Sequence, residues 1–179
     1  MWSLTKRRRS VLNAVASVLL ATSLVACGFE LRGQSDGAET LSRYPVVLVS
    51  AAPSSEFSGQ LRNALQRQGA SLSSTTDAGL ILYVDLETFE QRSLSLTARA
   101  RAAEIELQAS VVFSLRLNGE WLIEDETVTV VDQMLNDPLN VVGKTEELRL
   151  LQEELRTVLV AALTRRLNYA IAAHHASQT

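Results

Sequence analysis

The chain of 179 residues has one cysteine (Cys27), two histidines, which stand side by side as His174 and His175, and one long apolar run. Each scarcity excludes something. A single thiol makes no internal disulfide, so the domain depends on its own core. Adjacent histidines do not make a helical metal pair, which takes a spacing such as i, i+4, and they read as part of a solvated tail. The sequence contains neither a glycine-rich phosphate loop nor a Gly-x-Ser-x-Gly nucleophile turn. The run Glu124-Asp125-Glu126 does not supply the missing chemistry, because neighbouring strand residues point to opposite faces and do not converge on one ion. Neither an enzyme nor a cofactor is expected.

What is present begins at the amino terminus. Lys6-Arg7-Arg8-Arg9 precedes an almost uninterrupted apolar stretch from Val11 to Ala26, and Cys27 follows. The stretch falls short of the roughly 20 residues that span a bilayer. A charged start and a short apolar middle fit a secretory signal. An ordinary cleaved signal or an uncleaved anchor would share these features. Leu24-Val25-Ala26-Cys27, with a small residue before the only cysteine, resembles the lipobox of bacterial lipoproteins. That resemblance implies cleavage before Cys27, acylation (palmitate among the chains) of its thiol, and acylation of the freed amine. Two or more acyl chains hold a protein on a membrane where one does so only marginally. In lipoproteins an Asp after the Cys often retains the protein in the inner membrane, so Gly28 implies transfer to the outer membrane.

The expected organisation is therefore a signal peptide over 1–26, a lipidated Cys27 with a polar tether over 27–42, and one domain over 43–179 ending in a polar tail. The chain carries 17 basic and 20 acidic residues. Four of the basic ones leave with the signal, so 13 face 20 and the mature charge is −7. A net acidic domain argues against nucleic acid as a partner.

Along the domain, Tyr44–Ser50 is a β-branched run that reads as a strand covered on both faces. Pro53-Ser54-Ser55 offers helix-start chemistry, Phe57, Leu61, Ala64 and Leu65 recur at helical spacing, and Gly69 suits a left-handed cap, which predicts a helix over 56–68. Ser71–Gly79 reads as a linker. Leu80–Leu96 reads as one long strand with Leu80, Leu82, Val84 and Leu86 on a single face. Ala103–Leu117 alternates apolar with polar residues, as a strand with one dry and one wet face must. Asn118-Gly119 is a strong hairpin-turn signal, so Trp121–Leu135 should pair back on it. Thr145 is the expected cap of a final helix with a stripe of Leu148, Leu151, Leu155, Val158, Leu159, Ala162, Leu163 and Leu167. The predicted fold is α+β: a two-layer sandwich of two helices on one face of a four-stranded mixed sheet, in the order β-α-β-β-β-α.

Arg92, Arg99 and Arg101 gather in one expected loop, and Lys144 stands alone before the last helix. Solvated surface charge is the ordinary reading of such residues. Arg grips phosphate bidentately and Lys as a point charge, so beside apolar surface the same residues would suit a phosphorylated sugar-lipid.

Cys27-Gly28-Phe29-Glu30-Leu31-Arg32-Gly33, Ala103-Glu104-Ile105 at the start of a strand, Asn136-Asp137-Pro138 before the last helix, and the element order together resemble the lipopolysaccharide-assembly lipoprotein LptE (RlpB) family. Glu30 replaces a residue that is often His in that family. The resemblance implies a partner rather than a reaction. It points to an outer-membrane lipoprotein, lipid-anchored on the periplasmic side, that plugs the LptD β-barrel, helps it assemble, and binds lipopolysaccharide in transit. The basic positions of the family map loosely to Arg99 or Arg101 and more firmly to Lys144. The alternative is an accessory outer-membrane lipoprotein of a lipid or solute transporter with no barrel partner.

Overall fold

The computed structural model describes residues 41–74, 79–96, 102–135 and 141–178. In chain order the elements are β1 (Pro45–Ser50), α1 (Glu56–Arg67), β2 (Ser71–Leu72), β3 (Leu80–Val84), β4 (Thr88–Leu96), β5 (Ala102–Leu117), β6 (Glu120–Leu135) and α2 (Val141–Ser177). The sheet has six strands rather than the expected four. Ser71-Leu72 of the expected linker adds two residues beside β1, and the long strand expected over 80–96 is divided.

Strand β5 organises the sheet. One of its edges pairs with β6 along almost its whole length. Its other edge is shared: Phe113–Leu117 pairs antiparallel with β3, and Ala102–Ser110 with β4. Strand β1 then pairs parallel with β3 and with β2. The alternation read in the sequence is realised: Ile105, Leu107, Ala109, Val111, Phe113, Leu115 and Leu117 are all buried. Asn118 and Gly119 both have positive φ (50° and 91°), as the tight hairpin between β5 and β6 requires.

The division between β3 and β4 is a slip in register. Leu82 pairs with Leu115, but Phe89 pairs with Ala109, so Asp85–Glu87 inserts one extra residue against β5. The core parity therefore changes from even to odd. Leu86, expected to face inward with Leu80, Leu82 and Val84, is 56% exposed, and Phe89 packs against the core instead. In β1 the two-faced burial holds for Val46 and Val47, whereas Val49 is exposed.

Both helices bury one stripe in the core lined by β3 and β5. Ser55 caps α1, its hydroxyl accepting from the Ser58 amide at 3.1 Å, and Gly69 follows the helix with φ 84°. Helix α2 begins at Val141, so Thr145 lies inside it and is not its cap. Leu155, Leu159, Leu163, Leu167 and Ile171 form its buried ridge at intervals of four, while Val158 is exposed. The expected polar tail is helical through Ser177. It is tied down where the His175 ring stacks on Tyr44, with centroids 5.9 Å apart and planes 8° from parallel.

Candidate functional site

Of the residues expected to hold ligand, Arg92 and Lys144 are described; Arg99, Arg101 and the lipidation residue Cys27 lie outside the described residues. Arg92 sits on strand β4, not in a loop, where its register partner across the ladder is Glu106. Its guanidinium donates to the Glu106 carboxylate at 2.8 Å and reaches Gln108 at 3.5 Å, with about two thirds of the side chain still in solvent. An exposed pair of this kind contributes only about 0–1 kcal/mol. Part of its charge is already answered, which lowers what Arg92 can offer an anion.

Lys144 belongs to the first turn of α2, a turn without an acidic residue. Glu146 and Glu147 come only afterwards. Unpaired amides give that end of a helix a partial positive charge. Further along, Arg149 donates to Glu146 and to Glu153, both at 2.6 Å. The hydrogen bond from Arg149, and then its charge, hold the Glu146 carboxyl below its ordinary value.

Topology assembles one end of the sheet. Leu96 closes β4 against Ala102 at the start of β5, and Glu104 pairs with Leu135 at the end of β6. Beside Arg92 on β4 and β6 lie exposed Leu94, Val131 and Leu135. Arg92 and these uncovered apolar side chains thus share one stretch of the sheet. Among the described residues no group of three or more His, Cys, Asp or Glu could hold a metal ion.

The acidic run Glu124-Asp125-Glu126 within β6 divides at a bulge. Asp125 adopts φ 47° at a bulge, where its amide donates to the Ser114 hydroxyl at 2.9 Å and its carboxylate accepts from the same hydroxyl at 3.1 Å. Glu126 takes both arms of Arg166 at 2.6 and 2.8 Å, which raises the Arg166 pKa. A third ionic feature escaped the sequence. Arg156 of α2, only 13% exposed, donates to both oxygens of Glu87 at 2.9 and 3.0 Å and to Glu56 at 2.9 Å, and covers the Phe89 ring. Its partners lie 69 and 100 residues away in sequence, so no local pattern announces the cluster.

The fold is that of a two-layer α+β domain whose sheet has one dry and one wet face. The sequence profile described as LptE: Lipopolysaccharide-assembly matches residues 45–167. The chain belongs to that family of non-enzymatic lipopolysaccharide-assembly lipoproteins of the cell envelope, which works with the lipopolysaccharide transport machinery. Solved structures share the fold. Rare lipoprotein B from Shewanella oneidensis is 23% identical, with TM-score 0.58 over 75% of this chain and 95% of that one. A minor lipoprotein from Acinetobacter baumannii is 24% identical, with TM-score 0.58 over 70% and 90%. Uncharacterized lipoprotein B from Nitrosomonas europaea is 20% identical, with TM-score 0.65 over 82% and 94%. No curated protein matches the chain.

Proposed function

We propose that this lipoprotein is anchored through acylated Cys27 on the periplasmic side of the outer membrane. There it plugs and helps to assemble the LptD β-barrel, and it binds lipopolysaccharide during insertion into the outer leaflet. The observation that carries the reading is the family match over 45–167. The physical character of the domain agrees with it. A large barrel encloses a polar lumen, and a plug for it needs a closed core and a polar outside. Strand β5 divides its residues in that way, with Glu104, Glu106, Gln108, Ser110 and Arg116 opposite its buried row. No described helix is long and apolar enough to cross a membrane, so attachment through acyl chains on Cys27 fits the domain.

The residues assigned to the ligand are Arg92 on β4, Lys144 in the first turn of α2, and Arg99 and Arg101. Arg92 stands near Leu94, Val131 and Leu135, which offer apolar surface for acyl chains. Changing Arg99, Arg101 and Lys144 together to Glu reverses the charge at all three positions. The triple variant is expected to fold and to lose binding of lipopolysaccharide in a pull-down with the biotinylated lipid. Undiminished binding would sink this assignment of the site.

A further inference from the structure

The opposite end of the sheet, on the face that carries no helix, holds a second cluster of different chemistry. Trp121 of β6 is 45% exposed, and its ring lies 5.5 Å from that of Tyr83 on β3. The guanidinium of Arg116, the register partner of Trp121 on β5, sits 5.7 Å from the Trp121 ring centroid. Unlike Arg92, Arg149, Arg156 and Arg166, each of which meets a carboxylate, Arg116 has no ion-pair or hydrogen-bond partner among the described residues, and its buried Nε is unmatched. Tyr83 is also a wall of the neighbouring cavity of about 360 Å³, together with Val49, Ser114, Asp85 and Asp125. Each of these two carboxylates uses one oxygen on a local donor, the Leu86 amide for Asp85 and the Ser114 hydroxyl for Asp125. Each carboxylate has a second oxygen able to accept.

From this juxtaposition of an exposed Trp121–Arg116–Tyr83 platform with a cavity walled by Asp85, Asp125 and Ser114, we propose a binding site for a neutral saccharide. A sugar ring has an apolar C–H face that lies against an aromatic ring, and a rim of hydroxyls that donate to carboxylates and accept from a guanidinium. A concave site with apolar walls and a few convergent polar groups is the usual form of a small-ligand pocket. The two aspartates repel a phosphate or carboxylate ligand at close range, which selects a neutral sugar over a phosphorylated one. The site is separate from Arg92 and does not depend on the reading above.

The test is a titration of the full chain in detergent with maltotriose, followed at the Trp121 indole N–H resonance. A saturable shift is expected. By isothermal titration calorimetry, which needs no indole reporter, the W121A variant should bind maltotriose about tenfold more weakly than the unaltered chain through loss of the stacking face. The D125N variant, which keeps the shape of the bulge, should weaken binding without moving the spectrum of the free protein elsewhere. No saturable shift, an affinity in both variants equal to that of the unaltered chain, or an equal response to adenosine would overturn the proposal. Titrations with lipopolysaccharide carrying its core sugars and with the core-free lipid tell the source of the sugar. A shift with the first alone makes it lipid-borne, and a shift with maltotriose but neither lipid makes it a free oligosaccharide. Both results sustain the site, whereas an equal shift with the core-free lipid overturns it. The maltotriose arm contains neither phosphate nor acyl chain, so its failure leaves the role of the basic residues untouched, and failure of the charge-reversal test leaves the platform untouched.

Discussion

Arg156 joins three elements through one side chain: Glu56 at the start of α1, Glu87 at the β3–β4 slip, and the ring of Phe89. Removing one member of a largely buried ion pair leaves the other desolvated and unanswered, which costs several kcal/mol. R156A is therefore expected to lower stability by about 3 kcal/mol in urea unfolding with an unchanged m-value, and a loss within error would contradict the role given to the cluster. The Ser55 cap is a smaller contribution: S55A should cost about 1 kcal/mol by the same measurement, since it orphans the Ser58 amide. Glu146 gives a prediction in pH rather than stability. Its carboxyl is held below 4.5 by Arg149, so any stabilisation from the pair is present above the unfolded value and lost as pH falls through the lowered folded one. An NMR titration should find its midpoint below 4.5 in the native chain and back in the ordinary range in R149A.

At the scale of elements, the slip between β3 and β4 decides which side chains face inward. Leu86 is outside and Leu82 is fully buried, although both belong to one unbroken alternation in the sequence. L86S should change stability by less than about 0.5 kcal/mol, whereas L82A should cost about 2–5 kcal/mol. If L86S were as damaging as L82A, the strand would be continuous and the register wrong. Most of this architecture was legible because its signals are local: the period-two row of β5, the Asn118-Gly119 turn, the serine cap and Gly69 of α1. The rest was not, for equally physical reasons. A one-residue bulge leaves no mark on composition, and Ser71-Leu72 is too short for any periodicity. Helix α2 begins four residues before Thr145, on a turn lacking the acidic signature of a helix start. Its last turn looked like a polar tail because the contact that holds it, His175 on Tyr44, spans 131 residues. The basic residues were legible only as a set of charges. That Arg92 lies on a strand and answers Glu106 follows from the register of β4 on β5, which the slip sets.

At the scale of the whole molecule, the long β5–β6 hairpin gives the domain its two faces and its two ends. One face of the sheet is sealed by α1 and α2, and the other bears polar side chains interrupted by the Trp121 platform and by exposed Val131 and Leu135. Arg92 lies toward one end of the sheet, and the other end carries the cavity beside Tyr83. The chain is a member of the lipopolysaccharide-assembly family, and the proposed function seats this domain in a polar enclosure. The central claim is that the enclosure is an outer-membrane β-barrel. It is tested most directly by affinity purification of the lipidated protein from detergent-solubilised outer membranes, with mass spectrometry of what accompanies it. One large β-barrel protein in stoichiometric amount is expected. Recovery without a barrel, or with an inner-membrane transporter in its place, would contradict it and make the protein an accessory lipoprotein of a transporter.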